Sequence, residues 1–145
     1  MKFNCYYNKK VREICHGVKE NDYMAIREMA EFFINLGVIT KNSILIPAPQ
    51  HIGYAEYTKS IAEIIAKETK ASIKDVLRCK PHEGMYQIKK SGRVKIPEFY
   101  ITEEVKGDNV YFLDNVIATG TTYREAKKLI TNIQPFVYAI DKNLL

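Results

Sequence analysis

A chain of 145 residues, 46% hydrophobic and with a formal charge of +5, has the size of one domain that buries its own core without a metal or disulfide staple. No apolar run approaches the ~20 residues of a membrane span, and the opening MKFNCYYNKK lacks the apolar centre of a signal peptide. The three cysteines, Cys5, Cys15 and Cys79, are an odd, unclustered set, so reduced thiols in a cytoplasmic protein are expected rather than a disulfide framework.

In chain order, Asn21–Leu36 has helical spacing, with Ile26, Met29, Ala30 and Phe33 on one face. Asn21 or Asp22 can cap its start, and Gly37 stands where a left-handed helix end is wanted. Ser43–Ile46 reads as a short strand halted by Pro47. A second helix is predicted from Tyr54 to Thr69, burying Tyr57, Ile61, Ile64 and Ile65. Ile73–Leu77 reads as a strand, and Cys79–Lys95 as a polar, basic loop with Gly84 and Gly92. Phe99–Thr102 and Val110–Leu113 follow as strands, then a helix from Thr122 to Ile133 ended by Pro135, and a last strand at Phe136–Ile140. Strands that alternate with helices predict an α/β fold with a mostly parallel sheet and right-handed crossovers. Ligands then belong beyond the carboxyl ends of the strands. Two loops fall there, Pro47–Gly53 and Asp114–Thr122.

The second loop carries the more specific pattern. Tyr111-Phe-Leu-Asp-Asn-Val-Ile-Ala-Thr-Gly-Thr-Thr122 takes a buried strand into an acid, then through a Thr-Gly-Thr-Thr loop into a helix. Backbone N–H groups from Ala118 to Thr122 at a helix start suit a phosphate dianion. Thr119, Thr121 and Thr122 add hydroxyls, and Gly120 permits close approach. Asp114 is placed to accept hydrogen bonds from sugar hydroxyls. A ligand-free alternative uses the same residues: Thr122 and Glu125 fit a capping box, and Asp114-Asn115 fits a turn.

Leu113–Thr122 resembles the phosphoribosyl pyrophosphate signature of type I phosphoribosyltransferases, and Ile44-Leu-Ile-Pro-Ala-Pro49 with Gly53-Tyr54 resembles the first strand and loop of that family's competence-protein F-like branch. The resemblance covers roughly residues 40–140. It implies a type I phosphoribosyltransferase-like fold over 1–145: a twisted, mostly parallel sheet flanked by helices, with a flexible loop, a core of 41–145 and a small N-terminal hood from 1–40. It further implies a glycosyltransferase that binds phosphoribosyl pyrophosphate with Mg2+ and passes ribose 5-phosphate to a nucleobase-like acceptor. Asp114 and Asn115 would face the ribose hydroxyls as the catalytic pair, and Ala118, Thr119, Gly120, Thr121 and Thr122 would wrap the 5-phosphate. Pro49, Gln50 and His51 would form the pyrophosphate loop, and Gln87, Lys89 and Arg93 the closing loop. Magnesium would be held mainly by ligand oxygens and water, with no protein ligand assigned. Tyr6, Tyr7 and Tyr23 are the tyrosines to watch for base stacking in the hood.

Two departures stand out. The second acidic position is Asn115, and Gln50-His-Ile52 is a shortened loop without the branch's arginines. Loss of a charged hydrogen bond at the reacting centre corresponds to roughly a tenfold to hundredfold slower reaction. The alternative expectation is therefore a non-catalytic phosphoribosyl pyrophosphate-binding protein, or an accessory in DNA uptake or other nucleic-acid handling. Direct nucleic-acid binding through Lys80, His82, Lys89, Lys90, Arg93 and Lys95 rests on charge alone and predicts steep salt dependence; nucleic acid is not the expected partner. A homodimer is the default assembly. A zinc site from Cys5, Cys15, Cys79 and His82 lacks any close ligand pair. His51 also fits a surface residue beside a helix start, and His16 a structural one.

Overall fold

The computed structural model describes the backbone of residues 2–6 and, with side chains, residues 8–81, 98–117 and 120–140. The chain runs β1 (Lys2–Tyr6), α1 (Lys9–Lys19), α2 (Tyr23–Asn35), β2 (Ile44–Pro47), α3 (Tyr57–Thr69), β3 (Ser72–Ile73), β4 (Leu77–Cys79), β5 (Phe99–Ile101), β6 (Val110–Ile117), α4 (Thr121–Leu129) and β7 (Gln134–Ile140). Five strands form a sheet in the order β1-β7-β6-β2-β3, every neighbouring pair parallel. The antiparallel pair β4–β5 stands as a separate small sheet. The α/β architecture with a parallel sheet flanked by helices matches the sequence expectation.

The direction of each crossover decides which face its helices cover. The steps β1 to β2 and β2 to β3 run one way across the sheet, and β6 to β7 runs the other way. Right-handed connections then place the helices on opposite faces. Accordingly α1, α2 and α3 share one core with Leu45, Leu113 and Phe136. Ala126 and Ile130, from α4 and its end, join Val76 and Leu77 in a second core with Phe112. In the first core the Phe33 and Phe136 rings lie 4.6 Å apart, and Tyr111 meets Phe136 at 5.7 Å. In the second, the Tyr123 hydroxyl donates to Ile133 O at 2.8 Å, which ties α4 to the turn before β7.

Several expectations need correction. Ahead of residue 41, β1 pairs with β7 in the main sheet, and Val11, Cys15, Val18, Ile26, Met29, Ala30 and Phe33 belong to the first core. Helix α1 lies outside the expected elements although Val11, Ile14, Cys15 and Val18 follow the i, i+3, i+4, i+7 spacing of one helix face. Asn8 is a further signal, as its side chain caps the helix by accepting from Val11 N at 3.0 Å. The strand expected over 73–77 divides into β3 and β4. β6 continues through Asp114 and Asn115 to Ile117, and α4 stops at Leu129 rather than Ile133. Asp22 does cap α2, accepting from Met24 N at 3.0 Å, and Gly37 is left-handed at φ 66.

Candidate functional site

The chain reverses its direction of travel across the sheet between β2 and β6. Their carboxyl ends therefore frame the crevice in which an open α/β sheet holds ligands. The two loops singled out by sequence are the ones that leave these strands.

The loop after β2 is tied down along its length. Pro47, Ala48 and Pro49 are buried; Ala48 N donates to Leu113 O at 2.9 Å, and the Thr58 hydroxyl donates to Ala48 O at 2.7 Å. The Gln50 Oε1 accepts from both Glu56 N at 2.8 Å and Tyr57 N at 2.9 Å. Gln50 is thus the cap of α3, whose own flanking residue Glu56 makes no side-chain cap. Gly53 N donates to Gln50 O at 2.9 Å, Cys79 N to Gly53 O at 3.0 Å, and the Cys79 thiol to Gln50 O at 3.2 Å. Gly53 has φ +109, and a Cβ there would stand 2.9 Å from Cys79 O, so this turn requires glycine. His51 is exposed at the tip.

The other wall is the end of β6, which runs on past its last partner on β2, Leu113 opposite Pro47. Here side chains bond to adjacent backbone. Asp114 Oδ1 accepts from Asn115 N at 2.8 Å, and Asn115 Oδ1 accepts from Val116 N at 2.8 Å. The second bond fixes the orientation of the amide and leaves Asn115 Nδ2 as a buried donor with no partner among the described residues. Asn115 is only 4% exposed, so this is a costly arrangement unless a further group meets the amide. Burial pushes the Asp114 carboxyl up to about 6, against the opposing pull of the Asn115 N–H and the Lys19 ammonium.

Gly120, left-handed at φ 80, is the residue before α4 and brings no side chain to cap it. Thr121 and Thr122 are half-buried, and Arg124 Nη2 donates to Thr121 Oγ1 at 3.2 Å. The capping box considered for Thr122 and Glu125 does not form. The helix starts one residue earlier, and Glu125 instead pairs with Lys128 at 2.8 Å. The first turn of α4 places its N–H groups at the positive end of the helix dipole.

Asp114, Asn115, Gly120, Thr121 and Thr122 thus succeed one another along the β6–α4 connection, and Pro49 and Gln50 lie on the neighbouring strand exit. Ala118, Thr119, Gln87, Lys89 and Arg93 fall outside the described residues. Sequence reading missed Tyr57 and Lys19. Burial, then the negative charge of Asp114, then Cys15 raise the Tyr57 hydroxyl well above the usual phenol value, so α1, α3 and β6 converge around the acid. Tyr57 carries only a core signal in the sequence, because that convergence arises from tertiary packing. Among the described residues no group of three or more His, Cys, Asp or Glu could hold a metal ion, and no helix is long and apolar enough to cross a membrane. No known family model matches the chain, and no curated protein matches it.

Proposed function

We propose that this protein is a phosphoribosyltransferase of the type I kind, nearest the competence-protein F-like branch. It binds phosphoribosyl pyrophosphate and transfers ribose 5-phosphate to a nucleobase-like acceptor. The observation that carries this reading is the polar pair at the end of β6: a half-open carboxylate and a buried amide donor with no partner among the described residues, at the switch point of the sheet. Such a pair offers one acceptor and one donor to the two hydroxyls of a ribose. The first turn of α4 supports the same reading, since a 5-phosphate suits N–H groups at the positive end of a helix.

In the reaction the C1–O bond to pyrophosphate breaks, and its electron pair leaves with the pyrophosphate. A C1–N bond forms to the acceptor, whose proton passes to solvent. Asp114 holds the ribose and lies near the positive charge that develops on the ring, an electrostatic role. The Asn115 amide fixes the neighbouring hydroxyl without adding charge. Asp114 spends one oxygen on Asn115 N, and the other takes no hydrogen bond among the described residues. This donor set fits a magnesium ion carried in largely by the ligand's own diphosphate and ribose oxygens and by water. When bound, the ion supplies neutralisation of the leaving pyrophosphate.

The test is calorimetric titration with phosphoribosyl pyrophosphate, with and without magnesium, on the wild type and on Asp114→Ala. Magnesium-dependent binding that is lost in the variant supports the site and justifies a screen of nucleobase acceptors. A folded wild type that does not bind the ligand rules the reading out. A second reading, a non-catalytic binder acting as a sensor or as an accessory in nucleic-acid handling, draws on two observations. Position 115 is a neutral amide, and Gln50 is engaged as a helix cap rather than offered to pyrophosphate. It predicts the same binding with no pyrophosphate release for any acceptor.

A further inference from the structure

A cavity of about 460 Å³ opens on the far side of the β2–α3 loop, against the β4–β5 pair, and no residue of β6 or α4 lines it. Its polar centre is a charge triad. The Arg78 guanidinium donates through Nη1 to Asp75 Oδ1 at 3.0 Å, to Asp75 O at 3.0 Å and to Leu77 O at 3.1 Å. The Lys59 ammonium lies 3.5 Å from the other oxygen of Asp75. One carboxylate between two cations leaves a positive charge uncompensated. Holding the 75–78 turn uses only Nη1; Nε and Nη2 of Arg78 have no partner among the described residues. Asp75 therefore orients the guanidinium while leaving its other donors available. The apolar part includes two rings, Tyr54 from the β2–α3 loop and Tyr100 from β5, each 50% exposed.

We propose that this cavity binds a mononucleotide, with its phosphate on the Arg78 and Lys59 cations and its base on the tyrosine rings. A pre-oriented guanidinium takes phosphate oxygens with planar, charge-assisted hydrogen bonds. A tyrosine ring offers a stacking face that tolerates any base. The volume lies in the range of small-ligand sites, roughly 300–1,000 Å³, and suits one nucleotide rather than a strand. The site stands independently of the Asp114 crevice and does not require that reading to hold.

The experiment is amide NMR of the full chain titrated with adenosine 5′-monophosphate, with inorganic phosphate and a short oligonucleotide run in parallel. The nucleotide is expected to move the signals of Gly53, Tyr54, Lys59, Arg78 and Tyr100, and to do so equally in Asp114→Ala. Inorganic phosphate should bind about tenfold more weakly or worse, and Tyr54→Ala and Tyr100→Ala should each lose about fivefold or more in affinity. Arg78→Lys keeps the charge but not the fork and should lose about tenfold. The tyrosine variants, at half-exposed positions, keep the test decisive if the arginine change perturbs the turn. Movement confined to Thr121 and Thr122, or tyrosine variants that bind as wild type, would overturn the proposal. So would an oligonucleotide at least about tenfold tighter than the mononucleotide.

Discussion

At Asp114 a carboxylate is kept in surroundings that favour its protonated form, and the cost of doing so is measurable. An ordinary aspartate releases its proton near pH 4 in the unfolded chain, whereas burial holds the folded carboxyl to about 6. Between those values the folded state binds more protons, so this group's contribution to stability falls as pH rises from about 4 to 6 and stays low above that. Asp114→Asn removes the penalty while keeping an oxygen for Asn115 N. It should stabilise the protein at pH 7.5 by about 1–2 kcal/mol, less than full enclosure would give because the residue is partly open. The gain should vanish near pH 4, as urea unfolding at both pH values would reveal. Under the proposed function ligand binding runs the opposite way: hydroxyls need the ionised acid, so affinity for phosphoribosyl pyrophosphate should fall as pH drops below about 6. Of this pair the sequence shows the acid and the amide. It does not show that Asn115 Oδ1 is committed to Val116 N, because that bond depends on β6 outrunning β2.

At the scale of elements, α3 depends on a residue outside itself. Glu56 has no side-chain cap, and Gln50, six residues earlier, provides the acceptor for the first N–H groups. Gln50→Ala should therefore cost about 1–2 kcal/mol and lower Tm by roughly 3–7 °C. Gln50→Glu, which keeps an acceptor and adds a charge suited to a helix start, should recover most of that in a thermal melt. Elements with strong periodicity were legible: α2 with Asp22 and Gly37 at its ends, and β6 up to Leu113. Boundaries set by long-range contacts were not. Val116 and Ile117 favour extension locally, but Asp114-Asn115 reads as a turn, and β7 alone pairs with this segment beyond the end of β2. Likewise β1 gains its identity as a strand from the β7 edge rather than from KFNCY.

For the whole molecule, two cores on opposite faces of one sheet make the strands that contact both the point of greatest sensitivity. Phe136 is fully buried between Phe33 and Tyr111. Phe136→Ala should cost about 3–5 kcal/mol, a large share of the roughly 5–15 kcal/mol that holds a domain together. It should appear as a lowered urea midpoint read equally by α-helix and by tyrosine signals. A midpoint that moved for one probe alone would mean that the two faces unfold separately. The α/β class, the parallel sheet and the two strand-end loops followed from the alternation of elements. The packing of α1 and α2 into the first core did not, because an amphipathic helix does not itself show which face of the sheet it will cover.

The bonding of Asn115 to its neighbour separates two properties that strand ends commonly tie together, shape and charge. An aspartate at 115 would offer Val116 N the same oxygen that the amide now provides, so the backbone has no stake in which of the two is present. Asparagine and aspartate codons differ by a single base. The protein therefore stands one point substitution from a doubly acidic strand end, in which the backbone would keep its shape while a second buried carboxylate repelled the first.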